Sequence, residues 1–171
     1  MRFRDTIERY GNISKSLHWI TAFLLLFQIT SPLANELWPA NAFSRSIQPW
    51  HATIGVTILG LTALRLLWLL LQITSRPKSD NKMKTIGHGA IYLLLLAVPS
   101  IGFMMLLEKG YGVKIFGMRI LSDLQDVPWP TRLNELHAPF AWMIAILVVG
   151  HIAMAFHHHF IHRDETLRRM I

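Results

Sequence analysis

Four long apolar segments constrain the fold of this chain more than any other feature. Each has about 20 mostly apolar residues, the length that crosses the roughly 30 Å hydrocarbon core of a bilayer. The segments are Leu17–Leu37, His51–Ile73, Ile86–Leu107 and Leu136–His157. Backbone groups in hydrocarbon must bond internally, and the alternation of barrel strands is absent, so each segment should be a helix. We predict an all-α transmembrane four-helix bundle, a single integral-membrane domain over residues 1–171 whose inner tail is 158–171.

The composition agrees with a membrane protein and excludes several kinds of site. Of the 171 residues, 52% are apolar and 16% are charged, whereas a soluble domain carries about 25% charged residues. The chain has no cysteine, which excludes disulfides, iron–sulfur clusters and covalently attached haem. The basic residues before the first segment also fit a secretory signal peptide, but Pro32–Asn35 makes a poor cleavage site.

The distribution of lysine and arginine predicts the orientation. The N-terminal tail, the second connection and the C-terminal tail carry eleven of the 17 basic residues. The opposite face carries five basic residues and five acidic residues, so its net charge is zero. The eleven-residue face should be cytoplasmic, with both termini inside, in a cytoplasmic membrane. The formal charge of +7 therefore indicates membrane topology, and we expect no nucleic-acid partner.

Nine histidines are conspicuous in so apolar a chain. His137 and His151 lie fourteen residues apart on the fourth segment, so they leave nearly the same helix face about 21 Å apart along the axis. Two haems stacked across a membrane need ligands in this arrangement, and neutral imidazole is a good axial ligand. On the outer side only His51 and His137 are available as a pair. On the inner side the partner of His151 is left open among His18, His88 and the C-terminal histidines.

Two further residues support the same interpretation. Arg65 lies fourteen residues after His51, on the same face of the second segment, where a haem propionate would be a suitable partner for a buried guanidinium. Gly55, one turn after His51, leaves room for a macrocycle. The alternatives are that Arg65 extends to the interface and that the glycine only permits close helix packing.

Short motifs around the histidines resemble those of the bacterial cytochrome b561 family. The likeness covers nearly the whole chain and is carried by Ser16–Trp19, Trp50–Ala52, Gly87-His88, Glu135–His137, Gly150-His151 and the basic tail Arg163–Met170. The resemblance implies two haems b, with His51 and His137 on the outer haem and His18 and His151 on the inner haem. It also implies that His88 is not a ligand and lies near the inner haem or a quinone site.

The resemblance implies a membrane oxidoreductase that moves electrons from the periplasmic side to ubiquinone. Superoxide is a candidate donor, in which case the activity is of the superoxide:ubiquinone type. We expect His88 and His158 to serve the quinone side, as groups that carry protons. One alternative is a b-type subunit that passes electrons between a partner dehydrogenase or hydrogenase and the quinone pool. A second alternative, of a different class, is a histidine-using metal or proton transporter.

Overall fold

The computed structural model describes residues 3–39, 41–77, 81–108, 113–115, 117–121 and 131–171. Five α-helices, a short strand pair and two short helical turns make up this part of the chain. The α-helices are α1 (Asn12–Leu37), α2 (Ala42–Ile47), α3 (Trp50–Leu71), α4 (Lys82–Glu108) and α5 (His137–His157). The strands are β1 (Val113–Ile115) and β2 (Met118–Leu121), and the turns are a 3₁₀ helix (Thr131–Leu136) before α5 and a π-helical turn (His158–His162) after it.

The four-helix prediction is confirmed by α1, α3, α4 and α5, each of which is long and apolar enough to cross a membrane. Two of the observed helices, α1 and α4, begin earlier in the chain than the predicted segments do. α1 begins at Asn12 and α4 at Lys82, because polar residues at a membrane surface can continue a helix that hydropathy alone would end. Pro32 and Pro99 lie inside α1 and α4, where neighbouring helices make proline tolerable.

The bundle packs in chain order, with α3 against α1, α4 against α3, and α5 against α4. A cluster of buried apolar side chains fills its middle, formed by Leu25, Ile54, Ile58, Leu94, Leu95 and Ile144. Other large apolar side chains point outward, for example Ile146 at 71% exposure and Val149 at 68%. So much outward apolar surface is what a bilayer, rather than water, covers. The central cluster separates two groups of histidines, one at each end of the bundle.

Both chain termini lie at one end of the bundle, which we call the terminal end. The Lys15 ammonium donates to the Ile171 carbonyl, and the Trp19 indole N–H donates to the Met170 carbonyl at 2.9 Å. These contacts tie the C-terminal tail to the start of α1. The terminal end also carries the connection between α3 and α4, so the three basic segments of the sequence share one face. That this face is cytoplasmic remains a prediction.

The opposite end, which we call the loop end, holds α2, the strand pair and the 3₁₀ helix. β1 and β2 form an antiparallel pair, with Ile115 opposite Met118 and a turn at Gly117. The φ of Gly117 is +81°, a conformation that glycine adopts without strain. The sequence analysis did not predict this pair. Of the charged residues expected on this face, Lys109, Asp123 and Asp126 lie outside the described residues, as do the side chains of Glu108, Lys114, Arg119 and Arg132.

Candidate functional site

Two histidines from different helices meet at the loop end. His51 is in the first turn of α3, and His137 begins α5. Their ring centroids are 6.3 Å apart and the ring planes are inclined at 70°. The pair that the sequence analysis placed on the outer side is therefore brought together across the bundle.

A cavity of about 470 Å³ lies beside this pair. Its lining is mostly apolar and comes from all four long helices, with His51, Gly55, Gly102 and His137 among the residues that form it. A Cβ atom at Gly102 would lie 2.9 Å from Cε1 of His137, so only glycine lets α4 approach the His137 ring this closely. A Cβ atom at Gly55 would lie 3.2 Å from the side-chain nitrogen of Gln28. Gly55 thus leaves room for the Gln28 amide beside the cavity.

Polar atoms in this apolar cavity lack partners. Nδ1 of His51 and Nδ1 of His137 are buried with no hydrogen-bond partner of normal geometry among the described residues, although the Val98 carbonyl approaches the His137 ring. Leaving a buried polar group unpaired costs about 1–3 kcal/mol. Each ring therefore has one buried nitrogen, beside the cavity, for which the described residues supply no partner of normal geometry.

The ring separation fits a metal between the two imidazoles. A metal–imidazole bond is about 2.0–2.1 Å long and the ring centre lies roughly 1.1–1.2 Å further, so two imidazoles on opposite sides of one metal have centroids about 6.2–6.6 Å apart. The observed 6.3 Å lies within this range. The donor set, the glycine contacts and the apolar cavity all fit a b-type haem.

Three histidines approach one another near the terminal end. His18 is on α1, His88 on α4 and His151 on α5. The ring centroids of His18 and His151 are 6.4 Å apart, with planes inclined at 62°, and those of His88 and His151 are 5.2 Å apart. Only the first distance falls in the range expected for two axial ligands. The geometry therefore favours His18 over His88 as the partner of His151, the same choice that the family resemblance implies.

The hydrogen bond of His88 fixes the orientation of its ring. Nδ1 of His88 lies 2.6 Å from the Lys84 carbonyl. A carbonyl can only accept, so Nδ1 carries the hydrogen and a neutral ring keeps its lone pair on Nε2. His88 is exposed, and its ring lies close to that of His151.

Arg65 lies against the terminal-end histidines, at the depth that its spacing from His51 predicts. One guanidinium nitrogen, Nη2, is 3.2 Å from Nδ1 of His18. A guanidinium only donates hydrogen bonds, so Nδ1 of His18 accepts in this arrangement. The same guanidinium is 5.2 Å from the centroid of the Tyr92 ring on α4. Arg65 thus contacts neighbouring side chains at this depth in the bundle, which argues against a side chain that simply extends to the interface.

His158 is held by an acidic residue of the C-terminal tail. Its Nδ1 is 2.7 Å from a carboxylate oxygen of Asp164, and the other carboxylate oxygen accepts from the Thr166 backbone N–H at 2.8 Å. This backbone hydrogen bond, helped by His158, lowers the pKa of Asp164 to about 2. Lys84 contacts the surroundings of both His88 and His158. Its backbone carbonyl accepts from Nδ1 of His88. Its ammonium is 3.3 Å from the Thr166 hydroxyl and 4.0 Å from Asp164, the partner of His158.

The sequence analysis missed three residues of these sites. Gln28 and Gly102 line the loop-end cavity, and Tyr92 lies under Arg65. A glutamine in the middle of an apolar segment was a usable signal, because a polar side chain in a membrane helix usually has a specific partner. Gly102 carried no such signal, since its role depends on a ring from another helix. In the described part of the chain, no group of three or more His, Asp or Glu side chains is arranged to hold a metal ion.

Comparisons with known proteins agree with the geometry. The family model described as prokaryotic cytochrome b561 matches residues 9–171. The chain is 30% identical to "Cytochrome b561 homolog 2" of Escherichia coli (strain K12), over 100% of this chain and 95% of the relative. It is 29% identical to "Probable superoxide oxidase CybB" of Yersinia pestis, over 96% of each chain.

A third relative, "Cytochrome b561 homolog 1" of Escherichia coli (strain K12), is 24% identical over 96% of this chain and 98% of the relative. These matches span all four long helices and both groups of histidines. Family membership implies b-type haem and electron transfer, and the helices imply several crossings of a bacterial inner membrane. The chain is therefore a member of the prokaryotic cytochrome b561 family, a multi-pass membrane cytochrome that transfers electrons.

Proposed function

We propose that the chain binds two haems b, one at each end of the bundle, and passes electrons across the membrane to ubiquinone. The observation that carries this proposal is the nearly equal ring separation of two histidine pairs, 6.3 Å for His51 and His137 and 6.4 Å for His18 and His151. When bound, the haems supply one-electron transfer between the two faces of the membrane. The protein supplies the axial nitrogens, the apolar surroundings and the separation of the two sites.

At the loop end the chain leaves space among mostly apolar side chains. The cavity of about 470 Å³ is bordered mostly by apolar side chains; Gly55 leaves room for the Gln28 amide beside it, and Gly102 for the His137 ring. An apolar site favours electron transfer because few dipoles must reorganise around a change of charge.

At the terminal end the Arg65 guanidinium can bind an anion in place of His18. A histidine that binds a metal through Nε2 carries its hydrogen on Nδ1, so Nδ1 of His18 could then no longer accept from Arg65. The guanidinium would be released toward an anion, and a haem propionate carboxylate is the bidentate partner that suits it. We propose that Arg65 holds a propionate in the loaded protein.

Reduction of a quinone requires protons as well as electrons, and the terminal end can supply them. The His88 ring, whose Nδ1 bonds to the Lys84 carbonyl, lies close to His151, and His158 is held by Asp164. Imidazole exchanges protons near neutral pH. We propose that ubiquinone is reduced near the terminal end and that His88 and His158 deliver protons to it. On this orientation the terminal end faces the cytoplasm.

Superoxide is the donor that we propose at the loop end. The name of the Yersinia pestis relative, "Probable superoxide oxidase CybB", supports this proposal. Two superoxide anions would each give up one electron and become oxygen, while one ubiquinone would take both electrons and two protons.

A protein donor is the second candidate, and the charge of the loop-end face favours it. Five basic and five acidic residues on this side of the sequence give no net charge, so the face as a whole does not attract an anion. In that case the chain acts as a b-type subunit for a dehydrogenase or hydrogenase. Stopped-flow mixing of purified protein with superoxide and a soluble ubiquinone analogue separates the candidates. Fast reduction supports a superoxide donor, and none supports a protein donor.

The two-haem proposal is tested by spectroscopy of purified protein. We expect a reduced-minus-oxidised alpha band and two haems per chain. His137→Ala should remove only the loop-end haem, and His151→Ala should remove only the terminal-end haem. His159→Ala, a histidine of the C-terminal turn outside both pairs, serves as the control and should keep both. One haem per chain in the unaltered protein would contradict the proposal.

A further inference from the structure

Gln28 has an unusual place in the membrane part of the bundle. It lies on α1, lines the loop-end cavity and donates from its side-chain nitrogen to the backbone carbonyl of His51 at 3.1 Å. A carbonyl cannot donate, so this bond determines which end of the amide is nitrogen. The carbonyl oxygen of the amide, Oε1, is therefore oriented away from that bond.

Oε1 of Gln28 is buried and has no hydrogen-bond partner among the described residues. Nδ1 of His51, on the residue that Gln28 already contacts, is also buried and unpaired in the described part of the chain. One is an obligate acceptor and the other can be a donor, and both residues line the same cavity. Gln48 is the other amide that lines the cavity, and its Oε1 accepts from the Ser31 hydroxyl at 3.2 Å.

We propose that Gln28 is the positioning residue of the loop-end ligand His51, an inference that rests on the proposed function. When Nε2 of His51 binds the haem iron, Nδ1 carries the hydrogen, and Oε1 of Gln28 accepts it. The amide then holds both the backbone and the ring of His51. Metal-bound histidines are generally oriented by an acceptor of this kind.

This contact has a consequence for the loop-end potential. An acceptor on Nδ1–H makes the imidazole a stronger electron donor to the metal, which favours the oxidised iron. Gln28 therefore lowers the reduction potential of the loop-end haem and does not affect that of the terminal-end haem. The terminal-end haem is an internal control in the same molecule.

The test is a redox titration of the purified, haem-loaded protein, in which the two haems are resolved with the help of His151→Ala. We expect Gln28→Leu to raise the loop-end potential by the equivalent of about a tenfold change in equilibrium constant, about 59 mV for one electron. Gln28→Glu keeps an acceptor oxygen, so its loop-end potential should stay at the unaltered value or below it. Selective loss of the loop-end haem in Gln28→Leu, with its retention in Gln28→Glu, would also support the proposal.

Gln48→Leu is the matched comparison, because it removes another amide from the same cavity. An equal shift in Gln48→Leu would mean that cavity polarity, not a bond to His51, sets the potential. An unchanged or lower loop-end potential in Gln28→Leu would equally overturn the inference. Both results leave the two-haem proposal standing, whereas unaltered protein without a loop-end haem would refute that proposal itself.

Discussion

The two histidine pairs have nearly the same spacing but different surroundings. The ring centroids of His51 and His137 are 6.3 Å apart beside an apolar cavity, and neither Nδ1 has a hydrogen-bond partner of normal geometry among the described residues. His18 and His151 are 6.4 Å apart, and charged or exchangeable groups surround them, among them Arg65 and His88. One bundle thus repeats the spacing of a histidine pair in an apolar site and in a polar site.

This difference indicates that the two ends of the bundle suit different steps of electron transfer. A one-electron exchange needs no proton and is favoured by a site with few mobile dipoles. Quinone reduction consumes protons, so it needs titratable groups that water can reach. The loop end has the first character and the terminal end has the second. Each variant below should therefore affect one end and leave the other unchanged.

The largest effect is expected at Gly102. Gly102→Val places a branched side chain where even a Cβ atom would be 2.9 Å from the His137 ring, so the ring must leave its position opposite His51. We expect loss of the loop-end haem, about half of the haem per chain, with the terminal-end haem retained. Haem per chain and the reduced alpha band measure this outcome.

Gly60→Val is the matched control. Gly60 lies on α3, and a Cβ atom there meets no atom within 4 Å. This variant should keep both haems. If Gly102→Val also kept both, the close approach of α4 to His137 would have no role in the site.

Gly102 also shows where sequence reasoning reaches its limit. Hydropathy predicted the four long helices, because the signal for each lies within one segment of the chain. The charge distribution then predicted the orientation and left only His51 and His137 on the outer side. The contact of Gly102 with His137 depends on how α4 and α5 pack, and no local pattern encodes it. The spacing likewise left the partner of His151 open, and the distances in the folded chain favour His18. The β1–β2 pair was missed because its strands have only three and four residues.

Arg65 sharpens the comparison at the terminal end. Arg65→Leu removes a positive charge next to His18, and a positive charge favours the reduced form of a nearby redox group. A unit charge about 6 Å away at an effective dielectric of about 20 contributes roughly 3 kcal/mol, which is on the order of 100 mV. We expect the terminal-end potential to fall by this amount and the loop-end potential to stay constant.

Arg65→Lys distinguishes charge from shape. The ammonium keeps the charge but lacks the planar fork that binds a carboxylate in two places. The terminal-end reduction potential of Arg65→Lys should lie between those of Arg65→Leu and the unaltered protein. Equal shifts at both ends in a redox titration would contradict a local effect of Arg65.

A smaller, kinetic effect is expected for His158. His158→Ala removes the imidazole held by Asp164 at 2.7 Å and should slow ubiquinone reduction by about tenfold, below the 10²–10⁴-fold range of a positioned acid because His88 remains. The loss should grow as pH rises, since protons from water become scarcer. Asp164→Asn should show a weaker form of the same pH profile. His159→Ala is the control, and quinone reduction by His158→Ala that matches the unaltered protein at every pH would exclude His158 as a carrier.

The smallest effect concerns the acid stability of the C-terminal turn. Asp164 has a pKa lowered to about 2 from its usual 3.8, mainly because the Thr166 backbone N–H bonds to the carboxylate. A carboxyl group whose pKa is lower in the folded chain adds stability that is complete above the unfolded pKa. The contribution is lost as pH falls from about 4 to about 2. Carboxyl carbon NMR on protein in lipid nanodiscs should show one aspartate titrating near pH 2, and Asp164→Asn should remove that signal. An Asp164 that titrates near 3.8 would mean that the turn does not hold the carboxylate, and the support for His158 would be lost with it.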